Sequence, residues 1–330
     1  MNERLDEIDS ELQEVLARMQ EHPALTCSIR FAWDGSEEDA QSAIMFMQLY
    51  ACLQQFEHPS LDFADLKEII VHRDYESAVR AAAGGANHRG PSKEIGADSM
   101  AMTLQGEDGA RIVFHQSLGR ALASADSAYH DLAHGIVLHE LCHVSDYSFR
   151  KSLGAPATDP CPADGLYSFF AAAAESLWGE YFANKYSHGP WSDPAVETSL
   201  LKDTLPELRR QVDEAIREFR SHRDIRRLHQ LAEDKMRFAA QCFGYAAGRL
   251  DAMNTTLDQH APETAELLND LGLLDPWNSS FLSLKMLDAA RSEWKDAGRL
   301  KALLEPCSAI MRAFGLRYRA QGTGAHIDLL

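Results

Sequence analysis

The spacing of hydrophobic and polar positions changes along the N-terminal part of this chain. Apolar residues first recur three and four positions apart, which predicts an amphipathic helix over residues 2–20 that serves packing. A turn at Asp34-Gly35 then leads into a second helical stretch, predicted over 37–56. The chain is therefore expected to begin with helices.

The period then shortens toward that of a β-strand. Residues 68–72 (EIIVH) form a short apolar run suited to a strand, and a helical pattern returns over 74–83. Two alternating runs, 99–105 and 110–115, flank the tetrapeptide GEDG at 106–109. Such runs around a short turn predict a β-hairpin.

Strand patterns nearly disappear after residue 124. Two stretches rich in Gly, Pro and Ala, 84–96 and 151–166, are predicted to be loops. The order of elements predicts an α+β fold, with a small, mostly antiparallel sheet followed by a mainly helical C-terminal lobe. The predicted helices cover 126–148, 164–187, 205–220, 224–257, 262–272, 280–296 and 298–315.

Composition and charge restrict the class of partner. With 45% hydrophobic residues, the 330-residue chain can fill a real core. Its 50 acidic and 32 basic side chains give a formal charge of -18, which repels nucleic acid and anionic membranes. No apolar stretch approaches the roughly 20 residues that cross a bilayer, and no export signal is expected. Six cysteines without a CxxC pair fit a reducing compartment, so we expect a soluble, cytoplasmic protein.

The predicted helix 126–148 contains an HExxH motif, which runs from His139 to His143. On a helix, residues four apart lie about 40° from each other on one face, so both imidazoles can reach one cation. Glu140 is turned by about 100° and can address a water on that cation. Zinc lowers the pKa of such a water toward about 7, and the carboxylate can pass its proton to a leaving amine. The motif thus predicts a zinc site with Glu140 as general base.

Chance and rival ligands have to be weighed beside this interpretation. HExxH arises by chance in roughly one chain of this length in twenty, so its context decides. Residues 136–138 are uncharged, as a buried helix requires. Catalytic zinc takes three protein ligands and one open position, and Glu175 and Glu180 on the next helix are both candidates. They lie about 140° apart, so only one can face the metal. Asp146, one turn after the motif on the same helix, is a further candidate, but a third ligand so close to the two histidines has an unfavourable geometry.

A second histidine pair lies on the same predicted helix. His130 and His134 are also four residues apart. They are interpreted as two polar helix residues and not as a second metal site.

Two segments resemble a known class of enzymes. His139–Tyr147 (HELCHVSDY) resembles the thermolysin version of the motif in gluzincin zinc metallopeptidases, whose third ligand is a glutamate on the following helix. Glu180–Tyr186 (EYFANKY) is similar to the E-x-x-A-N-x-F-A signature of ImmA/IrrE-type regulatory metallopeptidases. The resemblance covers roughly 68–187. It implies that Glu180 is the third ligand and that Asn184 hydrogen-bonds a ligand histidine.

The order of elements predicts three parts: an N-terminal helical segment (1–60), a zincin-like catalytic core with the sheet and motif helices (61–190) and a helical C-terminal lobe (191–330). The resemblance also implies a substrate class. It places the strand 110–115 at the sheet edge, where an extended peptide can bind by strand addition, so a peptide or protein substrate is expected. The oxyanion stabiliser is left open among Tyr147, Tyr181, Tyr186 and His188.

Three functional hypotheses remain. The first is a zinc metallopeptidase with a narrow regulatory substrate, in which His139, His143 and Glu180 bind zinc and Glu140 is the base. The second is a catalytically silent zinc-binding interaction protein that keeps the zincin core. The third is a helical scaffold in which HExxH is accidental.

Overall fold

The computed structural model describes residues 24–84, 100–154, 165–189, 192, 194–321 and 324–330. Within it the chain forms two compact units. The first comprises the described residues up to Phe149 and the segment Tyr186–Ser192, and the second comprises Arg150–Lys185 and Asp193–Leu330. The predicted helix 2–20 lies outside the described residues, as do most of the two predicted loops.

The first unit combines a four-stranded sheet with helices, and the helices, strand and hairpin predicted there are confirmed. The strand Ser28–Ala32 and the helix Gln116–Ala123 were not predicted. The elements of this part of the chain are β1 (Ser28–Ala32), α1 (Glu37–Glu57), β2 (Leu66–His72), α2 (Tyr75–Ala82), β3 (Ala101–Gly106), β4 (Gly109–His115), α3 (Gln116–Ala123) and α4 (His130–Ser152).

The start of α1 follows from its first residues. The Ser36 hydroxyl accepts a hydrogen bond from the backbone N–H of Asp39, at 3.0 Å. The Asp39 carboxylate in turn accepts one from the backbone N–H of Ser36, at 2.9 Å. This reciprocal capping satisfies two N–H groups that have no partner within the helix. The helix therefore begins at Glu37, as the sequence predicts.

The sheet has the strand order β1-β2-β4-β3. β1 pairs with β2 and β2 with β4 in parallel, whereas β3 and β4 are antiparallel. The prediction of a mostly antiparallel sheet is therefore wrong. Parallel strands need a long crossover connection, which α1 supplies between β1 and β2 and which α2 and β3 supply between β2 and β4. β4 lies inside the sheet, so the prediction that it forms the edge is also wrong; among the described strands, β3 has that place.

The two faces of β3 have different environments. Leu104 belongs to a buried cluster that α2 forms with the sheet, and Met102 packs against the same cluster. Side chains alternate along a strand, so Thr103 points to the opposite face. The buried residues of the cluster are Ile70, Tyr75, Ala78, Val79, Leu104 and Val113.

The second unit is mainly helical, which confirms the predicted character of this part of the chain. The helix Pro194–His222 begins well before the predicted start at 205 and continues through Pro206. The elements are α5 (Gly165–Tyr186), α6 (Pro194–His222), α7 (Ile225–Ala252), α8 (Leu257–His260), α9 (Pro262–Asp270), α10 (Leu274–Ala289), the 3-10 helices Arg291–Glu293 and Ala297–Leu303, α11 (Leu304–Ala313), β5 (Leu316–Gln321) and β6 (Gly324–Leu329).

The C-terminal residues form a hairpin that the sequence analysis did not predict. β5 and β6 pair antiparallel, with Tyr318 opposite Ile327. Leu316 and Tyr318 are buried, whereas the arginines between and after them are exposed. Within the described part of the chain, no helix is both long enough and apolar enough to cross a membrane.

Candidate metal centre

The HExxH residues lie in the middle of α4, on a stretch of helix with a buried apolar side. His139 and His143 are half-buried. Their Nε2 atoms are 3.0 Å apart, and their rings meet edge to face at 85°. This confirms that the four-residue spacing brings both imidazoles to one place. The fully or nearly fully buried residues around them on the helix are Val137, Leu138, Leu141, Cys142 and Val144.

Glu140 occupies a buried position beside this pair, with 7% of its surface exposed. The hydroxyl of Thr103 on β3 donates to the Glu140 carboxylate atom Oε2, at 2.7 Å. The same hydroxyl lies 3.1 Å from the backbone carbonyl oxygen of Glu140. A buried carboxylate needs hydrogen-bond donors to offset its lost hydration, and Thr103 is one of them. Sequence reasoning did not identify Thr103, which lies 37 residues away from Glu140 along the chain.

Glu180 lies on α5, where its side chain is also buried. The amide of Gln241 on α7 approaches its Oε1 atom at 3.5 Å, the outer limit of a hydrogen bond. The Asn184 amide donates to the Glu180 backbone carbonyl at 3.0 Å, one turn back on the same helix. The predicted bond from Asn184 to a ligand histidine stays a prediction.

Two glycines on α7 let that helix pack closely against α5 at this point. A Cβ atom built at Gly244 would lie 2.6 Å from the Leu177 carbonyl oxygen and 2.8 Å from the Glu180 Cβ. One built at Gly248 would lie 2.3 Å from the Tyr181 carbonyl oxygen. Real Cβ atoms do not approach this closely, so the backbone path of α5 around Glu180 depends on both glycines.

The three predicted ligands come together in the structure. His139, His143 and Glu180 each offer one ligand atom, and these three atoms lie within 4.8 Å of one another. Zinc–nitrogen bonds of about 2.0–2.1 Å in a tetrahedral site place two ligand nitrogens about 3.3 Å apart. The 3.0 Å between the two Nε2 atoms is close to that value. Two imidazoles and one carboxylate form a donor set typical of catalytic zinc, so these residues fit the ion.

The rival carboxylate, Glu175, is not a member of this group. It is half-buried on α5, whereas Glu180 is buried. Asp146 is buried on α4 and is not a member either. Of the acids weighed from sequence, Glu180 is the one that belongs to the group of possible metal ligands.

Two of the tyrosines considered as oxyanion stabilisers have their hydroxyl protons engaged elsewhere. Tyr147 donates to the carbonyl oxygen of Gly106 at 2.6 Å. Tyr181 is fully buried and donates to the Asp251 carboxylate at 2.6 Å. A hydroxyl has one proton, so neither can donate to an oxyanion in this arrangement. Tyr186 and His188 remain as candidates, since both are half-buried.

The second histidine pair on α4 lies in a closed aromatic environment. The Tyr50 hydroxyl is hydrogen-bonded to Nε2 of His130. The Nδ1 atom of that histidine is 3.1 Å from the carbonyl oxygen of Ala121. The His134 ring stacks on the Tyr50 ring at 12°. These contacts are consistent with a packing role, in line with the interpretation of His130 and His134 as two polar helix residues.

Comparison with known proteins adds no assignment. No family model, no curated protein and no solved structure matches this chain. The likeness to gluzincins therefore rests on the motif residues alone and stays a prediction.

Proposed function

We propose that this chain is a zinc-dependent metallopeptidase in which His139, His143 and Glu180 hold the metal and Glu140 is the general base. The observation that carries the proposal is the convergence of three ligand atoms within 4.8 Å of one another. The next residue after the first histidine contributes a buried carboxylate, as this reaction class requires. The motif resemblance to gluzincins supports the same assignment.

The chemistry divides between the metal and the carboxylate. A zinc ion held by these residues would supply a Lewis acid that lowers the pKa of water toward about 7. Glu140 takes one proton from the attacking water as the water oxygen bonds to the peptide carbonyl carbon. The carbon–nitrogen bond then breaks, and Glu140 delivers the proton to the leaving nitrogen. The products are a carboxylic acid and an amine, and the carboxylate is regenerated.

The sheet supports a peptide as the substrate. β3 lies at the end of the described strand order, and its residue Thr103 touches Glu140. An extended peptide can add to such an edge through main-chain hydrogen bonds, which brings its carbonyl groups near the base. We therefore propose that β3, and not β4, receives the substrate chain.

The proposal is tested with Glu140→Gln, which removes the base and keeps its size. We expect the variant to retain about one zinc ion per chain, because the ligands are intact. Hydrolysis of a proteome-derived peptide pool should fall by a factor of about 10²–10⁴, the usual contribution of general acid–base catalysis. Mass spectrometry of the digests measures both enzymes in parallel.

Glu107→Gln is the matched control, since it makes the same change at an exposed residue between β3 and β4. It should hydrolyse the pool as wild type does. Undiminished hydrolysis by Glu140→Gln would contradict the mechanism. A zinc-loaded wild type without hydrolysis would favour the alternative, a silent zinc-binding interaction protein.

A further inference from the structure

The contact between Thr103 and Glu140 links the edge strand to the base of the proposed reaction. Thr103 pairs with the buried Ile112 of β4 across the sheet, which fixes its position along the strand. Its side chain lies on the face opposite to Leu104 and Met102, which pack in the α2 cluster. The backbone of a paired strand thus directs the hydroxyl toward α4.

The hydroxyl favours one oxygen of the carboxylate. A threonine has a single hydroxyl proton, and two Glu140 atoms are in range: Oε2 at 2.7 Å and the backbone carbonyl oxygen at 3.1 Å. The shorter contact, to a charged acceptor, is the stronger one. Thr103 therefore holds Oε2, and Oε1 is the oxygen of Glu140 that is left to receive a proton.

A second contact keeps the strand and the helix together. The Tyr147 hydroxyl, two turns after Glu140 on α4, donates to the carbonyl oxygen of Gly106 at the end of β3. β3 is thus hydrogen-bonded to α4 at two points: Thr103 bonds Glu140, and Gly106 at the end of the strand bonds Tyr147. Rotation of the Glu140 side chain is therefore restricted by a hydrogen bond from a separate element, β3.

We propose that Thr103 is a positioning residue for Glu140: it fixes the carboxylate through Oε2 so that Oε1 meets the attacking water. The inference rests on the proposed function. The water proton passes to Oε1 and then to the leaving nitrogen, and the Thr103 hydroxyl keeps its own proton throughout. Thr103 acts through Glu140 and not on the substrate.

The test compares three side chains at position 103. Thr103→Val keeps the branched shape and removes the hydroxyl, while Thr103→Ser keeps the hydroxyl. We expect Thr103→Val to lower kcat by about 10–100-fold at unchanged KM and zinc content, because loss of orientation acts on the chemical step. Thr103→Ser should restore kcat to within about threefold of wild type, since the donor is present again.

A double variant separates positioning from general damage to the structure. In the Glu140→Gln background, Thr103→Val should cause no further loss, because its effect passes through the carboxylate. Thr26→Val makes the same chemical change at an exposed residue and should behave as wild type. Steady-state kinetics and metal analysis on wild type and all five variants complete the experiment.

The outcomes distinguish this inference from the function on which it rests. If Glu140→Gln hydrolyses peptides about 10²–10⁴-fold more slowly than wild type, the proposed function stands. In that case Thr103→Val with wild-type kcat, or a raised KM alone, or a further loss in the double variant, overturns the role of Thr103. A zinc-loaded wild type that cleaves nothing overturns both.

Discussion

Helix α4 carries two histidine pairs with the same spacing in opposite surroundings. His130 and His134 are buried, with 7% and 6% of their surface exposed, and both contact Tyr50. His139 and His143 are half-buried and direct their Nε2 atoms at each other. An acid follows the first histidine in both pairs, so the local sequence alone, HDxxH or HExxH, does not separate them.

The acidic residue that follows the first histidine has a different environment in each pair. Asp131, after His130, is exposed. Glu140, after His139, is buried and held by the Thr103 hydroxyl. Spacing on a helix decides only that two imidazoles share a face, whereas elements distant in sequence decide which groups surround them. In this molecule Tyr50 contacts both histidines of the first pair. In the second pair, Thr103 on β3 hydrogen-bonds the glutamate that follows the first histidine.

The largest expected effect is a change in zinc affinity, and it should occur for one histidine pair and not for the other. His143→Phe and His134→Phe each remove the ring nitrogens and keep an aromatic ring. Loss of a neighbouring support residue typically costs 10–100-fold in metal affinity, so loss of a direct ligand should lower zinc affinity by more than about 100-fold. His143→Phe should show this loss in a chelator competition, and His134→Phe should bind as wild type.

Equal losses in both variants would show that the pairs are not functionally distinct. Circular dichroism of both proteins serves as the folding control, because a variant that does not fold says nothing about its ligands.

A smaller effect concerns acid stability. Burial, together with the nearby His130, lowers the pKa of His134 from 6.5 to about 3. The unfolded chain therefore binds this proton between about pH 6.5 and 3 and the folded chain does not, so stability falls as pH falls through that window. Between pH 8 and 5 this histidine should remove about 2 kcal/mol from the free energy of unfolding.

His134→Phe should be less sensitive to acid by that amount. The measurement is urea unfolding at both pH values with zinc chelated, so that pH-dependent metal binding does not contribute to the difference. The same pH dependence in wild type and His134→Phe would contradict the assignment of a buried, neutral His134.

The local part of the candidate site was predictable from sequence, because HExxH and helical spacing are properties of one segment. The choice of Glu180 over Glu175 came from a motif resemblance; Glu180 belongs to the group of three possible ligands, and the choice stays a prediction. Thr103 and Gln241 had no local signal: each is an ordinary polar residue whose contact with a site residue arises from tertiary packing.

The fold shows the same division. The start of α1 was predicted from the turn at Asp34-Gly35, whereas the parallel pairing of β1 with β2 depends on the path of the connection and leaves no mark in either strand. β1 alternates exposed and half-buried residues, so its apolar signal is weak. β5 was missed because Leu316 and Tyr318 are its buried residues and the rest of the strand is exposed.

The central claim is that His139, His143 and Glu180 hold one zinc ion, and elemental analysis of the purified protein with two variants tests it most directly. Wild type and Glu175→Gln should carry about one zinc per chain, and Glu180→Gln should lose most of it, because catalytic zinc needs three protein ligands. No zinc in the wild type, or equal zinc in both variants, would contradict the claim.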